Sequence, residues 1–125
     1  MLKYAGLALF LGTAIGAAWA QGSARFDGQY VGELALTKEI SGDCTRPPVG
    51  AVYPLIISGG RIRFVYRPRF GTTLTGSIDD NGNLAASTRV SKGIVHMRGK
   101  VQGNTLSATI TSPSCNYDFK ARKET

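Results

Sequence analysis

From Arg25 onward the chain alternates apolar and polar positions in short runs, which Gly, Asn and Asp break roughly every 8 to 12 residues. A period of two is that of a strand with one buried face, and evenly spaced short strands point to an all-β sandwich or barrel. No run repeats at the helical period. The 16 glycines, three of them in the first twenty residues, would weaken any helix interior, so no helix longer than a turn is expected.

The pattern predicts eight strands. The first spans Arg25 to Leu36, with Phe26, Tyr30 and Leu34 on one face and Asp27, Gln29 and Glu33 on the other. Thr37 to Gly50 reads as a loop, because Ser41-Gly42-Asp43 and Pro47-Pro48 do not continue a central strand. Ala51–Ile57 and Arg61–Arg67 follow, joined by Ser58-Gly59-Gly60. Next come Thr72–Ile78 and Leu84–Val90 around Asn81-Gly82, a strong hairpin signal. Ile94–Val101, Thr105–Thr111 and Cys115–Ala121 complete the set, leaving a charged tail expected to fray.

Strands joined in order by tight turns form an antiparallel up-and-down meander, and eight is a number at which such a sheet closes into a small barrel. A flattened sandwich with the same strand order is the alternative. In a closed meander the loop after strand one and the start of strand eight share one rim. Cys44 and Cys115 lie in those two places, so a disulfide between them would staple the seam. A bridge between residues 71 positions apart is worth about 4 kcal/mol by chain-entropy arithmetic.

The first twenty residues stand apart. Lys3 precedes an apolar run from Ala5 to Trp19, and Ala18-Trp19-Ala20 places small residues around a cleavage point. This is the layout of a secretory signal peptide, expected to be cut after Ala20. The run contains Gly6, Gly12 and Gly16 and falls short of the roughly 20 apolar residues of a spanning helix, so no transmembrane segment is expected. Residues 21–125 then form one domain. The formal net charge of +7 becomes +6 once Lys3 leaves. An exported chain, periplasmic or secreted, with an even cysteine count is a natural host for a disulfide.

Candidate chemistry is sparse. In Arg61-Ile62-Arg63-Phe64-Val65-Tyr66-Arg67-Pro68-Arg69-Phe70, Arg61, Arg63, Arg67 and Arg69 take alternate positions, which puts them on one face of a strand. Such a stripe suits lipid head groups, anionic glycans or an acidic protein, because guanidinium forks match oxyanions; it equally describes a solvated outer wall. Arg89, Lys92, Arg98 and Lys100 form a second basic cluster. Asp79-Asp80-Asn81-Gly82-Asn83 resembles the start of a calcium loop, but the twelfth position is Val90 instead of a bidentate Glu, so a tight turn is expected.

His96 is the chain's one histidine and has no nucleophile or acid motif beside it, and the carboxylates Asp27, Glu33, Glu39, Asp43 and Asp118 are scattered. Two cysteines and His96 fall short of a zinc ligand set, so neither metal nor cofactor is expected. Phe26, Tyr30, Phe64, Tyr66, Tyr117 and Phe119 alternate along strands, as core residues do, which argues against stacking platforms for nucleic acid.

Phe26-Asp27-Gly28-Gln29-Tyr30-Val31-Gly32 at the start and Cys115-Asn116-Tyr117-Asp118-Phe119-Lys120 at the end resemble a frame found in small exported bacterial β-barrel proteins: an opening D-G-x-[YW]-x-G, internal D-x-x-G turns and a closing C-x-x-x-F-[KR]. The resemblance implies a compact barrel and carries no functional residue. Calycin-like carriers and periplasmic enzyme inhibitors share the size and the export route. The sequence therefore leads to a non-enzymatic binding module with an arginine-bearing face for an anionic partner. A small carrier of an apolar ligand, an enzyme inhibitor and a hydrolase built on His96 are the other readings.

Overall fold

The computed structural model describes residues 23–42, 44–67 and 72–124, and of Tyr66 and Arg67 the backbone alone. The strands are β1 (Gly28–Glu39), β2 (Tyr53–Ser58), β3 (Arg61–Arg67), β4 (Thr72–Ile78), β5 (Asn83–Val90), β6 (Gly93–Gln102), β7 (Thr105–Thr111) and β8 (Cys115–Lys123). Each pairs antiparallel with its sequence neighbour, and β1 also pairs with β8. The meander is therefore a closed barrel and not a sandwich.

The register fixes how wide the barrel is. Stepping from Gly28 across each pair in turn passes through Ile57, Ile62, Gly76, Ala86, Met97, Ile110 and Tyr117. The circuit returns to β1 at Leu36, eight residues further on. Eight strands with a stagger of eight tilt by about 36° and enclose a space that side chains alone can fill. Leu55, Phe64, Leu74, Met97, Leu106, Ile110 and Phe119 accordingly have 0% exposure, so no water-sized space touches them. The rings of Phe64 on β3 and Phe119 on β8 meet across the interior with centroids 4.6 Å apart.

Closure at this radius bends the strands sharply, and glycine marks the bends. Three inward-facing glycines each stand opposite an alanine: Gly32 with Ala121, Gly76 with Ala86, Gly99 with Ala108. A Cβ on Gly99 would sit 2.2 Å from the Ser107 carbonyl oxygen, and one on Gly76 1.8 Å from that of Ala85. No larger residue fits between backbones so close.

The chain enters at what we term the lower end. Ser23 caps a 3₁₀ turn, Ala24–Phe26, and its own N–H donates to the Ile78 carbonyl at 3.0 Å. The Tyr30 hydroxyl donates to the Phe26 carbonyl at 2.8 Å. Asp27 leaves the strand altogether. Its carboxylate accepts the N–H of Gly59 at 2.7 Å and of Gly60 at 3.0 Å, tying the entry segment to the β2–β3 turn, where both glycines have positive φ. The first strand therefore starts at Gly28, three residues later than the alternation predicts. It also ends later, because β8 offers a partner as far as Glu39 across an irregularity between Leu36 and Lys38. The tail expected to fray is likewise paired: the N–H groups of Lys123 and Glu124 donate to the carbonyls of Asn104 and Gln29.

At the upper end Cys44 and Cys115 form the expected disulfide, with Cα atoms 5.7 Å apart. It fixes the segment between β1 and β2 onto the first residue of β8.

Two measurements test this account. Phe119→Ala should lower unfolding free energy by about 3–5 kcal/mol in a denaturant titration, while its outward neighbour Lys120→Ala stays within about 0.5 kcal/mol. Replacing both cysteines by Ala should cost about 4 kcal/mol in the same assay, and a loss under about 1 kcal/mol would show that the bridge is not what holds the seam.

Candidate functional site

Among the described residues the side chains at the barrel's centre are fully buried, and the candidate residues fall on the outer wall and the two ends. Strand alternation turns Arg61 and Arg63 of β3 outward, and both are exposed. Arg67 ends β3, its side chain undescribed, and Arg69 lies outside the described residues, so the structure speaks for half of the predicted stripe.

The register shows what surrounds it. Arg61 is level with Ser77, Ala85 and Arg98 on β4, β5 and β6, and Arg63 is level with Thr75, Ser87 and His96. The two basic clusters thus share one side of the barrel and are separated by a neutral strip. Beyond β6 the wall gains two bases that sequence reasoning missed. Lys100, Ser107 and Lys120 lie in register, and Arg122 of β8 stands opposite Thr105. At ordinary strand spacing the β6 and β8 columns stand about 10 Å apart, with the hydroxyls of Thr105, Ser107 and Thr109 between them. The alternation Asp118, Lys120, Arg122 was the available signal, but only the pairing of β8 with β7 joins it to β6.

Taken together, the outward positions of β3 to β8 carry Arg61, Arg63, Arg89, Arg98, Lys100, Lys120 and Arg122 against a single carboxylate, Asp118, which accepts from Thr109 Oγ1 at 3.5 Å. None of these seven bases forms an ion pair among the described residues, where Arg46–Glu39 at the upper end is the salt bridge, at 3.7 Å. Glu33 on β1 stands opposite Lys120 in register without forming an ion pair, and Asp27, Asp79, Asp80 and Glu124 lie at the lower end.

His96 is exposed between Ser87 and Thr111 on the flanking strands, and among the described residues its ring makes no hydrogen bond. The Asp79 segment is a turn. Asp79 Oδ1 accepts the N–H groups of Asn81 and Asn83, each at 2.9 Å, and the Gly82 N–H donates to its carbonyl. These donors, the Asn83 amide first, hold the Asp79 carboxyl below its usual pKa. Both cysteines are consumed by the disulfide and are lost as metal ligands.

The upper end carries a cleft of about 180 Å³. Thr45, Ser91, Lys92, Ser112, Ser114 and Tyr117 contribute to its lining, and the Tyr117 hydroxyl donates to the Thr45 carbonyl at 2.8 Å.

No protein family, curated protein or solved structure is detectably similar to this chain. Among the described residues no helix is long and apolar enough to cross a membrane.

Asp79 gives a check with a definite sign. A lowered folded-state pKa stabilises the turn at pH values above the ordinary carboxylate range, and that contribution disappears as pH falls through the lowered value. The amide resonances of Asn81 and Asn83 should therefore shift together in acid, with a midpoint below about 3.9. Asp79→Asn should abolish the transition. A metal-binding loop would instead respond to added calcium at neutral pH.

Proposed function

We propose that this chain is an exported, non-enzymatic binding module whose outer wall receives an anionic partner. The observation that carries this reading is the sorting of charge: seven unpaired bases and one acid on the outward positions of six consecutive strands. Arginine forks and serine and threonine hydroxyls together supply convergent donors for phosphate, sulfate or carboxylate oxygens. All the described aromatics of strands β1, β3 and β8 point inward, so among the described residues the wall offers no stacking platform for nucleic-acid bases.

Export is supported by the apolar run that ends at Ala20 and by a disulfide of the kind that oxidising compartments maintain. A carrier of an apolar ligand would need an open interior, and the zero exposure of the central core side chains leaves none there.

The test compares variants of equal charge. Replacing Arg61, Arg63, Arg67 and Arg69 by Ser, or Arg98, Lys100, Lys120 and Arg122 by Ser, should abolish retention on anionic lipid, sulfated-glycan or acidic-protein matrices at low salt. A control with the same change of charge at the lower end, Arg25→Glu with Lys123→Glu, should keep most of it. Equal losses in all three variants would mean that net charge alone acts, and the binding-face reading would fail.

A further inference from the structure

The upper end combines two features that the wall does not. Of the large hydrophobic residues that are exposed among the described residues, four belong to this end: Ile40 at 54%, Val49 at 106%, Val52 at 58% and Ile94 at 43%. The fifth, Ile56, is on the β2 wall. Val49 occupies the tip of a turn closed by the Ala51 N–H and the Pro48 carbonyl at 3.1 Å, with Gly50 at φ 81° behind it. The segment that presents these residues is not free to fold back over them. The disulfide holds it at Cys44, the Tyr117 hydroxyl holds Thr45, and the N–H groups of Ile40 and Ser41 donate to the Ser114 carbonyl.

The same end is basic. Lys38, Arg46, Arg89 and Lys92 lie around it, and the one acid described there, Glu39, is paired with Arg46. At the opposite end Asp27, Asp79, Asp80 and Glu124 accompany Arg25 and Lys123, and Arg61, Lys100 and Arg122 lie close to the strand ends there. The two ends thus differ in what they expose: apolar tips among bases at one, acids interleaved with bases at the other. Exposed apolar residues ringed by cations are complementary to one kind of surface: an interface whose outer layer is anionic and whose next layer is hydrocarbon.

We infer that the upper end docks on an anionic lipid surface, with Val49, Val52 and Ile94 entering the interface and the surrounding bases facing the lipid phosphates. The hydroxyl-lined cleft between the β5–β6 and β7–β8 turns then opens toward the head groups. This rests on the anionic-partner reading above and assigns that partner to one class, reached through a second surface.

The experiment uses the protein cut after Ala20, which holds no tryptophan, so that Val49→Trp introduces the sole indole. With vesicles of equal parts phosphatidylglycerol and phosphatidylcholine, its emission should shift to the blue. With pure phosphatidylcholine it should not, and a reporter at the lower end, Asn104→Trp, should stay unshifted with either. Val49→Ser, Val52→Ser and Ile94→Ser combined should weaken co-sedimentation with the anionic vesicles by about tenfold or more, while retention on a sulfated glycan is unchanged. Co-sedimentation without a Val49→Trp shift would overturn the docking end and leave the anionic-partner reading intact. Retention on the glycan with no binding to either vesicle would overturn the lipid assignment. Binding to none of these would remove both.

Discussion

Pairing of β1 with β8 is the constraint from which the rest of the molecule follows. It converts a meander into a ring, and with a stagger of eight it sets a radius that side chains can fill completely. Three glycine and alanine pairs permit the bending, the Phe64 and Phe119 rings meet across the middle, and the disulfide sits at the upper end of the same seam. Among the described residues the centre of this barrel is filled by side chains, which directs attention to its outer surface.

That makes the composition of the outside informative. An outer wall needs polarity, but folding has no use for seven bases on four strands of one wall with no ion pair among the described residues, since their mutual repulsion opposes the compact state. Apart from Asp118 and Glu33, which stands opposite Lys120, the described acids lie at the two ends of the barrel instead. Some are tied into structure there: Asp27 holds the β2–β3 turn and Asp79 organises the β4–β5 turn. Carboxylates fasten the lower end of the barrel, and bases are left facing solvent along its side and top.

Much of the fold is legible in the sequence because it is written in local chemistry. Gly59-Gly60 and Asn81-Gly82 mark hairpins at the positions where φ must be positive or a neighbouring backbone passes close. Period-two alternation separates the inward row Ile62 and Phe64 from the outward row Arg61 and Arg63. What fails to show is anything decided by a distant partner. Phe26 and Asp27 continue the alternation of the first strand, yet Asp27 is drawn to a turn some thirty residues away and the strand begins after it. Thr37 to Glu39 look like loop and are strand because β8 lies alongside. Barrel and sandwich share one strand order, and the stagger that separates a packed core from a lumen appears only in cross-strand register. The same ignorance of register hid Lys120 and Arg122, which belong to the basic side only because β7 sets β8 two strands from β6.

The seam also dictates when this protein can fold. Its closing contacts join the first and last strands, Gly28–Glu39 and Cys115–Lys123, so no partial product contains both edges of the ring. Every shorter chain exposes two unpaired strand edges, and loop-closure entropy must be met over most of the sequence before the final pairing rewards it. Such a polypeptide stays open until Cys115–Lys123 is available for pairing, and the bridge between Cys44 and Cys115 can lock the ring only then.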